Sequence, residues 1–155
     1  MTDCYRRLKS TRDLCSIMTC IAICSLLLLG CKENNNRKPT FPVTGTVHVD
    51  GMPVEGIRVE IQDVKGLDPK QPTYSSAFTD AAGKFALSTY ENGDGVPEGE
   101  YALTYMWGKL NVMSMAYGGP DKLNNKYSDA KNTPFKIKVE AGKPTDLGVV
   151  DLKTK

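Results

Sequence analysis

The chain has 155 residues, of which 20 are Lys or Arg and 18 are Asp or Glu, so its formal net charge is only +2. A balance this even, with no stripe of basic residues and no aromatics interleaved with them, argues against a nucleic-acid groove, which needs a concentrated positive field. All five cysteines stand at or before position 31, so the rest of the chain can form neither an internal disulfide nor a thiolate metal cage, and its fold must rest on packing.

The first expected element is an export signal. Arg6, Arg7, Lys9 and Arg12 form a basic start, residues 17–29 an apolar centre, and Gly30 a small residue at its end. Thr19, Cys20, Cys24 and Ser25 interrupt the centre, which falls short of the roughly 20 apolar residues of a membrane span. Arg6-Arg7 lacks the surroundings of a twin-arginine signal, so general secretion is expected. The tetrapeptide Leu28-Leu29-Gly30-Cys31 resembles the lipobox of bacterial lipoproteins. That resemblance implies cleavage before Cys31, a diacylglyceryl group on its thiol, and an acyl chain such as palmitate on the freed amine. The expected product is exported and lipid-anchored to the cell membrane or outer membrane, on the periplasmic face or at the cell surface. Lys32 stands where aspartate retains enterobacterial lipoproteins at the inner membrane, which favours the outer membrane or the surface. Losing residues 1–30 removes four basic and two acidic residues and leaves 16 of each, a neutral mature chain.

Residues 31–40 read as the lipidated cysteine and a flexible polar tether, and residues 41–155 as one domain. In VTGTVHVD, Val43, Gly45, Val47 and Val49 share one face and Thr44, Thr46, His48 and Asp50 the other, the period of a half-buried strand. Asp50-Gly51-Met52-Pro53 is turn chemistry, and Ile57, Val59 and Ile61 resume the alternation, which predicts a hairpin. A second hairpin is expected from TYSSAFTD and residues 84–89, joined by Asp80-Ala81-Ala82-Gly83, with Phe85 and Leu87 inward and Asp80 accepting backbone N–H bonds across its own turn. Strands over residues 100–107, 135–140 and 146–152 complete a count of about seven. Tyr101, Leu103, Tyr105 and Trp107 share one face and read as core, with the Tyr101 hydroxyl fixing a corner and Trp107 the most exposed of the four. Val47, Val59, Phe85, Leu103 and Val139 are expected to be buried together.

The pieces GTVHVDGMPVEGIRVEI, TDAAGKFAL and PEGEYAL, in this order and spacing, resemble the carboxypeptidase regulatory-like domain. The resemblance implies an all-β fold, a single antiparallel Greek-key β-sandwich of the transthyretin-like (prealbumin-like) kind. It implies architecture and no reaction. The whole chain resembles small bacterial lipoproteins made of a signal, a tether and one such domain.

No catalytic residues are expected. His48 is the only histidine and lies mid-strand, and the hydrolase known on the transthyretin-like fold depends on several histidines and an Arg-bearing terminal motif that this chain lacks. The acidic stretch ENGDGVPEGE fails the EF-hand template, which would place Tyr90 first and Tyr101 last. Two readings stay open there: a solvated turn, which is favoured, and an irregular Ca2+ site at Asn92, Asp94 and Glu98. No other metal or cofactor is expected. Residues 108–134 are too long for a simple connection. Leu110, Val112, Met113 and Met115 are positioned to cover a sheet edge, and Pro120, Leu123 and Tyr127 suggest one helical turn pinning the loop to the sandwich. Trp107, Tyr117 and Tyr127 are the candidate aromatics of a binding surface. The favoured function is a non-enzymatic, membrane-anchored lipoprotein serving envelope structure or protein contacts. The alternative is a carbohydrate- or calcium-binding module. Partners would then be the membrane, through the anchor, and an envelope protein or glycan.

Overall fold

The alternating segments pair into two four-stranded sheets in the computed structural model, which describes residues 37–155. The expected signal, Cys31 and the tether up to residue 36 lie outside the described residues. The strands are β1 (Thr40–Phe41), β2 (Val43–Val49), β3 (Met52–Pro53), β4 (Arg58–Asp63), β5 (Ser75–Phe78), β6 (Lys84–Ala86), β7 (Val96–Pro97), β8 (Gly99–Met106), β9 (Lys109–Asn111), β10 (Ala116–Gly118), β11 (Lys136–Val139) and β12 (Thr145–Leu152). One sheet has the order β11-β8-β4-β5, and the other the order β12-β2-β3 with β6 also paired to β2. The pairs β1–β7 and β9–β10 stand apart from both. The described residues contain no helix.

One apolar core joins the inward faces of both sheets. Val43, Val47 and Val49 of β2 and Val150 and Leu152 of β12 meet Val59 and Ile61 of β4, Leu103 and Tyr105 of β8, and Val139 of β11. The expected core set of Val47, Val59, Phe85, Leu103 and Val139 is buried as read. Gly45 interrupts the valine face for a packing reason: a Cβ there would lie 2.9 Å from the Phe85 ring, so its absence lets that ring lie directly on the β2 backbone.

Each of the seven expected segments contains a strand, yet their pairing differs from the sequence reading. The first predicted hairpin does not form between β2 and β4, which lie in different sheets. Asp50 and Gly51 both have left-handed φ, 52° and 86°, and this tight turn brings back only Met52 and Pro53 beside Val49 and His48. Pro53 has no N–H with which to continue the ladder, and the chain crosses over. The buried Thr79 holds that crossing, its hydroxyl accepting from Ile57 N at 2.9 Å and donating to Val54 O at 2.7 Å. The second predicted hairpin is also split, because β5 pairs with β4 and β6 with β2, leaving only the Ser76–Ser88 bridge between the two segments. Nor is every pair antiparallel. β12 runs parallel to β2, with a bulge at Gly148 (φ 62°) where the register shifts between Asp146 and Val149.

Residues 37–40 of the expected tether are fastened to the domain. Arg37 pairs with Glu91 at 2.9 Å, Lys38 with Asp68 at 2.8 Å, and Lys38 N donates to the Tyr90 hydroxyl at 3.1 Å. The β1–β7 pair then packs so closely that a Cβ on Gly95 would stand 1.9 Å from Phe41 O.

Candidate docking surface

β8 ends at Met106, and the chain then makes a protruding ribbon before returning to the sheet. At its base, Gly108 passes so near β10 that a Cβ would stand 2.7 Å from Gly118 O, a contact only glycine allows. The Tyr117 hydroxyl accepts from Gly108 N at 2.7 Å and directs its proton toward Gly56 O, 2.7 Å away, with Met106 O at 3.0 Å. Burial pushes this hydroxyl above the ordinary tyrosine pKa, and the ring stacks edge-on against Phe78 with centroids 4.8 Å apart. Tyr117 is therefore a bolt joining the ribbon to the crossing between β3 and β4. Asn111 Oδ1 accepts from Met113 N and Ser114 N and shapes the tip.

The tip itself departs from the sequence reading. Leu110, Val112, Met113 and Met115 cover no sheet edge: they are 56%, 78%, 95% and 75% exposed. Because β9 and β10 satisfy each other's backbone groups, the ribbon stands without a third strand, and its side chains are left facing water. No acidic residue occurs between Tyr101 and Pro120.

The return leg is held by Asp121. Its Oδ1 accepts from Trp107 N at 2.8 Å and Leu123 N at 3.0 Å, and its Oδ2 from Asn125 N at 3.0 Å. The expected helical turn is absent here, because Asn124 and Asn125 have φ of 54° and 57°, the left-handed region in which an α-helix cannot continue. The expected pinning is nonetheless present. Leu123 is fully buried, Tyr127 nearly so, and Tyr127 O accepts from Tyr105 N at 3.0 Å.

Of the three candidate aromatics, Tyr117 and Tyr127 are thus spent on holding the loop. Trp107 is half-buried against the core, and the Lys122 ammonium lies 4.0 Å from its ring centroid, a cation–π contact. The acidic turn is likewise engaged with itself. Asp94 Oδ1 accepts from Thr89 N at 2.7 Å and its Oδ2 from Tyr90 N at 3.0 Å, while Asn92 and Glu98 point into solvent. Among the described residues no group of three or more His, Cys, Asp or Glu side chains is placed to hold a metal ion. His48 is half-buried in β2, opposite Asp151 and Pro53. Asp80 spans its own turn as read, accepting from Ala82 N at 2.9 Å and Lys84 N at 2.8 Å.

The ribbon and the tether leave from opposite ends of β8. β1 is paired to β7 next to Gly99, whereas the ribbon follows Met106, so the eight residues of β8 separate them by about 27 Å.

No family model and no curated protein matches the chain. Among solved structures it is similar to a DUF3823 family protein from Parabacteroides merdae (16% identity, 76% of this chain and 46% of that one, TM-score 0.40). It is also similar to a 9R-lipoxygenase from Cyanothece (15% identity, 79% and 18%, TM-score 0.37). A third likeness is to the dioxygenase domain of a dioxygenase carbohydrate-binding protein fusion from Streptomyces (14% identity, 77% and 82%, TM-score 0.37). The chain spans less than half of the first two, and likenesses this distant carry no argument about activity.

Proposed function

We propose that the chain is an exported lipoprotein, acylated at Cys31, whose domain is a carboxypeptidase regulatory-like Greek-key sandwich making non-catalytic contacts with an envelope protein through the β9–β10 ribbon. The observation that carries this reading is the tip: four large apolar side chains held in water on a base fixed by Gly108 and Tyr117. Exposed apolar residues grouped on a rigid support mark contact surfaces, because desolvating them contributes about 25 cal/mol per Å2 and little entropy is lost in ordering the base. Support for the domain assignment comes from the three sequence pieces and from the tyrosine corner, in which the Tyr101 hydroxyl donates to Pro97 O at 2.9 Å. The partner's face would be apolar and free of excess positive charge, since the only charged residue of the ribbon is Lys109.

A photo-crosslinking residue at the exposed position 114 of the full chain, expressed in its membrane, should capture one protein reproducibly. The double substitution Val112→Asp, Met113→Asp should abolish capture without moving the melting temperature. Capture that persists in the double variant would refute the ribbon as the contact surface.

A further inference from the structure

Residues 64–74 and the outward face of β4 together line a groove of about 530 Å3, a volume typical of small-molecule sites. Its floor follows from the strand period: Val59 and Ile61 turn into the core, which leaves Arg58, Glu60 and Gln62 in one row outside. Arg58 and Glu60 form an ion pair along that row. Asp63 starts the enclosing loop, its Oδ1 accepting from Lys65 N at 2.7 Å. Leu67 and Tyr74 complete the wall and are 52% and 71% exposed.

The lining discriminates between ligand classes. Its charged groups are one cation, already paired, and two carboxylates, so a phosphate or carboxylate ligand would meet net repulsion. The paired Arg58 and Glu60 instead present N–H donors and oxygen acceptors side by side, and the Gln62 amide offers one group of each kind. Neighbouring hydroxyls on a sugar ring, each both donor and acceptor, match that pattern. The Tyr74 ring supplies an apolar face with little rotamer entropy to lose, suited to the C–H face of a pyranose. We propose that this groove binds a neutral carbohydrate of one or two rings, stacked on Tyr74 and hydrogen-bonded through Arg58, Glu60 and Gln62. The site shares no residue with the β9–β10 ribbon, with Trp107 or with the acidic turn.

The test is titration calorimetry on the full chain in a sugar-free detergent, with cellotriose, maltotriose and triacetylchitotriose as probes and inorganic phosphate as the control. At least one trisaccharide should give saturable heat and phosphate none. Tyr74→Ala and Gln62→Ala should each weaken that binding by about tenfold or more while leaving the melting temperature in place. The ribbon variant Val112→Asp, Met113→Asp should bind as the wild type does, which separates this site from the proposed protein contact. No saturable heat with any of the three trisaccharides overturns the proposal, and so does binding that survives both groove substitutions.

Discussion

Tyr101 and Tyr105 occupy the same inward face of β8 and are almost equally buried, but their hydroxyls meet different fates. Tyr101 donates to Pro97 O, whereas the Tyr105 hydroxyl has no hydrogen-bond partner among the described residues. An unpaired buried hydroxyl costs about 1–3 kcal/mol, and a satisfied one contributes roughly 0.5–1.5 kcal/mol. The two Phe substitutions should therefore have opposite signs: Tyr105→Phe raises stability or leaves it unchanged, and Tyr101→Phe lowers it, as read by urea unfolding. Equal losses in both would contradict the corner. The pH dependence follows from the same burial. Desolvation, aided by nearby Asp63, pushes Tyr101 from 10.0 up to about 12. A raised pKa means that the unfolded chain releases this proton first, so the stabilisation is complete below pH 10 and drains away between about pH 10 and 12. Tyr101→Phe should make that part of the stability profile shallower without abolishing it, because burial also raises the Tyr105 and Tyr117 hydroxyls. A curve as steep as that of the wild type would exclude Tyr101 as a contributor.

At the scale of elements, Phe85 ties β6 to β2 by lying on the Gly45 backbone, and Phe85→Ala should cost about 3–5 kcal/mol because that close fit cannot collapse around a smaller side chain. A melting temperature within a degree or two of the wild type would show that the β6 phase is wrong. The phase of this strand was legible in the sequence, as were those of β2, β4 and β8, because alternation reports which side chains turn inward. Alternation is silent on which strand lies alongside. The split hairpins and the parallel β12 depend on long-range bonds, such as Thr79 with Val54 and Ile57, that no local pattern encodes. The candidate site was legible to a lesser degree. Leu123 and Tyr127 announced a pinned loop, but the left-handed asparagines that replace the helical turn, and the self-sufficiency of the β9–β10 pair, depend on hydrogen bonds to Asp121 and across the ribbon. The β4 groove left no mark, since Arg58, Glu60 and Gln62 look like any solvated strand face.

For the whole molecule, the lipoprotein reading predicts that Cys31→Ser leaves the full-length precursor uncut and shifts the protein out of the acylated membrane fraction. An unmodified Cys31 in the wild type, seen by mass spectrometry, would remove the anchor from the proposal. The separation of tether and ribbon by the length of β8 also has a mechanical meaning. A partner drawing on the ribbon of an anchored molecule pulls β8 away from the bilayer, while the anchor pulls β2 toward it through Phe41. The strain would run lengthwise along strands of two different sheets. Under such a shear the bonds within each ladder, β8 with β4 and β11 in one sheet and β2 with β12 in the other, would be loaded together and not one after another. If the anchor and the ribbon contact both hold, this arrangement would load the ladders in shear, whereas a ribbon and tether leaving from the same end would let the strands unzip through successive single bonds.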